Sequence, residues 1–135
     1  MPAAPTVLLV DDYPDALDVW AIYLTTEGFR VLTAGTGRQA LAAARADAPD
    51  LVVLDLDLPD LSGFEVAIEL RSCAATRHIP LIAATGYSHA AQQDQARQSG
   101  FDSVIVKPCD PDALVAEIHR LLTAQGNRQA APNEH

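Results

Sequence analysis

Apolar residues gather in five short runs, separated by turn-forming residues and by stretches whose apolar positions recur at helical spacing. Val7-Leu8-Leu9-Val10 is the first run, continuous as expected of a strand covered on both faces, and it stops at Asp11-Asp12. Pro14 opens the following helix, Asp15 lies favourably at the positive end of its dipole, and Gly28 ends it. Its core stripe is read as Ala16, Val19, Trp20, Tyr23 and Leu24, which leaves Leu17 and Ala21 exposed. Arg30 to Ala34 is a less apolar second strand suited to a sheet edge, and Gly35-Thr36-Gly37 turns the chain into an alanine-rich helix from Arg38 to Ala46.

Pro49-Asp50 leads into the third run, Leu51 to Leu54, which meets Asp55-Leu56-Asp57-Leu58-Pro59. Phe64, Val66, Ile68 and Leu70 alternate as a strand would, but Ser62-x-x-Glu65 has the form of a capping box and selects a helix. Ile79 to Ala84 is the fourth run, ended by Thr85-Gly86. The helix expected from Ser88 to Ser99 has only alanines to anchor it and should be the loosest of the set. Val104-Ile105-Val106 is the fifth strand and runs into Lys107-Pro108. Asp110 then caps, and Pro111 starts, a last helix anchored by Leu114, Ile118, Leu121 and Leu122. The domain is expected to span residues 6–124, with flexible ends at 1–5 and 125–135. Five strands alternating with five helices imply an α/β domain whose parallel sheet is covered on both faces.

Composition narrows the function. At 135 residues, 49% hydrophobic and 20% charged, the chain suits one folded domain. No apolar run approaches the roughly 18 residues of a membrane helix, and Met1 to Pro5 lacks the pattern of a signal peptide, so a cytoplasmic protein without membrane contact is expected. The net charge of −9 opposes direct nucleic-acid binding and favours a cationic ligand. Cys73 and Cys109 lack the spacing of a zinc site or disulfide framework, although Cys109, close to Lys107, is a candidate redox-sensitive position. Gly35-x-Gly37 lacks the third glycine and the lysine of a phosphate loop and reads as a plain turn.

Chemistry in open α/β folds sits at the carboxyl ends of the strands. The residues delivered there are Asp11-Asp12, Asp55, Thr85 and Lys107, from four different strands. Carboxylates a few ångströms apart repel by about 4 kcal/mol per close pair at an effective dielectric of 20, so the cluster calls for a cation. Hard oxygen ligands favour magnesium. A lysine and a hydroxyl facing the metal would complete a clamp on a phosphoryl group, with Asp55 as the nucleophile of an aspartyl-phosphate.

The set Val10-Asp11-Asp12, Asp55-Leu56-Asp57-Leu58-Pro59-x-x-x-Gly63, Thr85-Gly86 and Lys107-Pro108 closely resembles the receiver domain of bacterial two-component response regulators, over about Thr6 to Leu122. The resemblance implies a flavodoxin-like, doubly wound sheet of strand order 2-1-3-4-5. It implies that Asp55 takes a phosphoryl group from a histidine kinase or histidine phosphotransfer protein. Asp11, Asp12 and Asp55, with the backbone carbonyl of Asp57, would hold Mg2+, Thr85 would be the switch hydroxyl, and Lys107 would pair with the phosphate. The Lys107-Pro108 bond is often cis in the family. Asp57 and Tyr87 occupy positions that tune dephosphorylation. One departure stands out: Val104 replaces the aromatic residue or histidine usual three positions before the lysine, and Tyr87 is a candidate substitute.

No basic recognition helix or catalytic module follows Leu122 in this sequence, so a stand-alone receiver that docks a downstream protein or relays phosphate is expected, with a domain of a hybrid kinase as the other possibility. Such a switch is no enzyme beyond phosphorylating and dephosphorylating itself. Output is expected from the Ser88 to Ser99 helix, the Val104 strand and the last helix, and the phosphodonor at the Leu17/Ala21 side of the first helix. Three rivals remain. A receiver-shaped interaction module would signal without phosphorylation. A phosphatase of the haloacid-dehalogenase type would use Asp55-Leu56-Asp57-Leu58 as a near match to D-x-D-x-[TV], but the motif here follows the third strand of a short chain. A flavodoxin-like electron carrier would have its flavin phosphate repelled by Asp11-Asp12.

Overall fold

The computed structural model describes residues 4–86, 90–107 and 110–130, with residue 90 and residues 126–130 described through the backbone alone. Five strands, β1 (Thr6–Val10), β2 (Arg30–Ala34), β3 (Leu51–Asp55), β4 (Leu81–Thr85) and β5 (Ser103–Val106), alternate with five helices. The helices are α1 (Pro14–Thr26), α2 (Gly37–Asp47), α3 (Gly63–Ser72), α4 (Ala90–Ser99) and α5 (Pro111–Ala130). All strand pairs are parallel, in the order β2-β1-β3-β4-β5 expected from the sequence. The chain therefore reverses its direction of travel across the sheet between β1 and β3, and their carboxyl ends flank the crevice where such folds bind ligands.

The period of two along each strand divides the core into two layers. Leu8, Val10, Val52, Leu54, Leu81 and Ala83 face α2, α3 and α4, together with Ala44, Val66, Leu70 and Ala96. Val7, Leu9, Leu51, Val53 and Ile82 face α1 and α5, with Leu24, Leu114, Ile118 and Leu121. Because the central strands are buried on both sides, their sequences are continuously apolar instead of alternating.

Three expectations need correction. Helix α1 is rotated from the stripe read in the sequence: Leu17, Trp20, Ala21 and Leu24 pack inward, while Val19 is 66% and Ile22 68% exposed. Ala16, Val19, Trp20 and Tyr23 follow i, i+3, i+4, i+7 spacing just as Leu17, Trp20, Ala21 and Leu24 do, so spacing alone does not decide between the two neighbouring faces. The fourth strand starts at Leu81, after Pro80, and Ile79 is instead fixed by the turn in which its N–H bonds Thr76. Helix α5 continues through Ala130, beyond the residue-124 boundary, since residues 125–130 contain no proline and mostly good helix formers. The expected capping signals hold: Ser62 Oγ accepts from the Glu65 N–H at 3.2 Å, and Asp110 Oδ1 accepts from the Asp112 N–H at 2.9 Å.

The amino-terminal edge of the sheet is tied together by Arg71, near the end of α3. Its guanidinium donates to the carbonyls of Gly100 (3.0 and 2.8 Å), Arg77 (2.6 Å) and Ile79 (2.7 Å), and to Asp102 (2.9 Å). The same Asp102 oxygen accepts from the Leu81 N–H at 2.8 Å, so one side chain joins α3, the start of β4 and the approach to β5. A lysine has no planar fork to reproduce this set. Arg71→Lys is expected to lower stability by about 2–3 kcal/mol, read as a lower urea midpoint at unchanged slope.

At the sheet's open edge, Glu117 of α5 accepts from the Ser103 hydroxyl and from Arg120 at 2.7 Å on each oxygen. Arg120's hydrogen bonds, helped by Ser103 and opposed by desolvation, hold the Glu117 carboxyl at about 2, down from 4.5. A depressed carboxyl stabilises the fold fully above its unfolded value and loses that contribution as pH falls towards the folded one. Thermal melts of the wild type and Glu117→Gln should therefore differ at neutral pH, with the wild type more stable, and converge between pH 4.5 and about 2.

Candidate functional site

Each predicted site residue arrives at the carboxyl edge by a simple route. Asp11 follows β1 directly, its N–H donating to Ala34 O at 3.1 Å, and its Oδ1 accepts from the Tyr13 N–H at 3.0 Å to turn the chain into α1. Asp55 and Thr85 are the last residues of β3 and β4, so each strand ends one residue beyond its apolar run, and both are buried. Lys107 follows β5, with its N–H bonded to Thr85 O at 2.6 Å.

The side chains of Asp11, Asp12 and Asp55 converge, each offering an oxygen within 4.8 Å of the others. Lys107 Nζ lies 3.0 Å from Asp11 Oδ2 and 3.3 Å from Asp55 Oδ2. Asp57 donates its N–H to Asp55 Oδ1 at 3.1 Å, fixing the orientation of that carboxylate, while its own side chain points to solvent and is outside the carboxylate cluster. Burial pushes the Asp55 carboxyl up, against the opposing effects of the Asp57 N–H and the Lys107 charge. Burial also disfavours the Lys107 ammonium, but the hydrogen bond to Asp11 and the charge of Asp55 outweigh it and raise the lysine. Three carboxylates against one ammonium leave two negative charges at the edge, which matches a divalent cation with hard oxygen ligands.

Two further residues shape the site. The backbone at Gly63, which starts α3, lies so close to the end of β3 that a Cβ there would stand 2.6 Å from Asp55 O and 2.7 Å from Leu56 Cα. Asp60 reaches back from the loop after Pro59 to cap α2, accepting from the N–H groups of Gly37 (2.7 Å) and Arg38 (3.0 Å). Desolvation opposes its ionisation, yet these amide hydrogen bonds hold the Asp60 carboxyl below its ordinary value. With Thr36 Oγ1 taking the Gln39 N–H at 3.1 Å, the first amides of α2 are committed, as a plain turn at Gly35-x-Gly37 requires. Sequence reasoning missed Asp60 because its partner lies 23 residues away and no local motif marks it. Tyr87, Pro108 and Cys109, on which expectations also rested, lie outside the described residues. Val104 packs on the α2–α4 layer, and Ile105 on the α1–α5 layer.

The family model described as response regulator receiver domain matches residues 7–119. The chain belongs to the response regulator receiver family. It is 38% identical over 112 residues to the transcriptional regulatory protein KdpE of Mycobacterium tuberculosis, covering 83% of this chain and 48% of that protein. It is 30% identical to the polar-differentiation response regulator DivK of Brucella ovis, covering 87% of this chain and 95% of DivK. The chain thus spans about half the length of KdpE and nearly all of DivK. Among solved structures, a CheY-like receiver domain protein from Methanospirillum hungatei superposes with a TM-score of 0.87 at 28% identity, covering 93% of this chain and 99% of the other. Chemotaxis protein CheY4 of Vibrio cholerae gives 0.83 at 28% identity, covering 87% and 98%. Receiver domains are signalling switches, and the acidic cluster lies where this receiver fold places its ligand crevice.

The contact at Gly63 makes the site's scaffold intolerant of one methyl group. Gly63→Ala should cost about 2–4 kcal/mol, because the atoms it meets are backbone. Gly86→Ala, where a Cβ meets nothing within 4 Å, should change stability by less than about 0.5 kcal/mol in the same urea titration.

Proposed function

We propose that this receiver is the phosphoacceptor of a two-component system, with Asp55 as the residue modified. The observation that carries the reading is a partly compensated carboxylate cluster in which the most buried member, Asp55, keeps one oxygen against Lys107 and the other against the Asp57 N–H. A carboxylate oxygen of Asp55 attacks the phosphorus of a phosphohistidine. The new O–P bond forms as the N–P bond breaks, and the electron pair leaves with the imidazole nitrogen. Lys107 pairs with the transferred phosphoryl oxygens and the Thr85 hydroxyl donates to one of them. Asp11, Asp12 and Asp55, with the Asp57 backbone carbonyl, would hold Mg2+, which supplies charge neutralisation on the phosphoryl oxygens when bound. The protein turns over no substrate beyond its own phosphorylation and dephosphorylation.

The donor is a histidine kinase or histidine phosphotransfer protein, the recipient of the signal is a downstream protein, and the compartment is the cytoplasm. Among the described residues, no helix is long and apolar enough to cross a membrane. The phosphodonor docks on α1, but through Val19 and Ile22 instead of Leu17 and Ala21, which are committed to the core.

A small-molecule phosphodonor with Mg2+ is expected to add one phosphoryl group to the wild type, measured as intact mass, and none to Asp55→Asn. An equal gain in that variant would show that another residue is the acceptor.

A further inference from the structure

An apolar cavity of about 40 Å³ lies between the sheet and the α1–α5 layer. Leu17, Trp20, Ala84, Ile105 and Leu114 line it, together with Asp11 and Lys107, the two charged residues joined at 3.0 Å in the site. Apolar atoms that face unfilled space forfeit dispersion contacts, so neighbouring side chains gain by moving into it whenever the surrounding contacts change. The site supplies such a change. Lys107 and a divalent cation compete for Asp11, and a phosphoryl group on Asp55 offers the ammonium a stronger partner than either carboxylate. Once Lys107 leaves Asp11, its stem no longer holds that wall of the cavity.

The opposite layer offers a poorer listener at the usual place. Val104, branched at Cβ, is stiff about χ1 and has no polar atom with which to follow a hydroxyl at Thr85. Ile105, next along β5, faces the cavity.

We propose that phosphorylation is read out through this cavity: Lys107 shifts towards the phosphoryl group, Trp20 and Ile105 repack into the space, and α1 moves relative to α5. The inference rests on Asp55 being the phosphoacceptor. It assigns to Trp20, Ala84 and Ile105 the transmitting role for which Val104 is unsuited, and it makes the α1–α5 side of the domain the one whose surface changes with the state of the site.

Trp20 is the sole tryptophan, so its fluorescence reports on the cavity without interference. The full chain is treated with acetyl phosphate and Mg2+, with Mg2+ alone as the control, and followed in parallel by intact mass and by tryptophan emission. The expected result is an emission change that tracks the mass gain and exceeds that from Mg2+ alone. Ala84→Val, which fills the cavity with a residue suited to a strand, should keep the mass gain, raise the melting temperature and lose most of the emission change. Should that variant fail to fold, Ala16→Leu fills the same space from α1. A mass gain with emission no different from Mg2+ alone, or a filled variant with an undiminished change, overturns the proposal and leaves the phosphoacceptor reading standing. Absence of any mass gain in the wild type overturns both.

Discussion

One ammonium set among three carboxylates is the interaction on which the site depends. Lys107 comes from the strand end farthest from Asp11 in sequence, yet the two meet at 3.0 Å because the parallel sheet delivers all its carboxyl ends to one edge. The lysine neutralises only part of the charge, and the remaining carboxylate oxygens could hold a small, hard cation. Burial of Asp55 sharpens the effect, since a carboxylate removed from water gains more from each positive neighbour than an exposed one does.

A close backbone contact and a capping carboxylate together hold that arrangement. Gly63 lets α3 begin in van der Waals contact with the last residues of β3, and its N–H bonds Leu56 O at 2.9 Å. Asp60, in the same loop, is fastened to the first amides of α2. The loop that leaves Asp55 is thus pinned to two helices within eight residues. Rigid support of this kind suits the phosphoacceptor role proposed for Asp55, since phosphoryl transfer relies chiefly on positioning and charge compensation.

Much of this was legible in the sequence for a physical reason. Strands buried on both faces must be continuously apolar, so their ends are sharp, and Asp11, Asp55 and Thr85 are each marked by the break from apolar to polar; Lys107 is marked the same way after the half-buried edge strand β5. Helices buried on one face give a weaker signal, and the rotation of α1 was misjudged because Val19 and Ile22 are as apolar as the Leu17 and Ala21 that pack. Long-range ties left no trace at all. Nothing near Arg71 indicates that five donors find carbonyls and a carboxylate up to 31 residues away, and nothing near Asp60 announces a helix N-terminus. The structure brings Asp11, Asp12 and Asp55 together, and it places Asp57's side chain outside the cluster with its N–H on Asp55, a detail no sequence pattern carries.

The knot around Arg71 divides labour along the sheet. With α3, β4 and the entry to β5 clasped at the amino-terminal edge, those elements share a fulcrum, and displacement at the opposite edge must grow with distance from it. Helices α1 and α5 make no part of that clasp. A local rearrangement at the carboxyl edge therefore meets elements clasped through Arg71 on one face of the sheet and, on the other, helices joined by Tyr23 to Asp112 and fastened to β5 through Glu117.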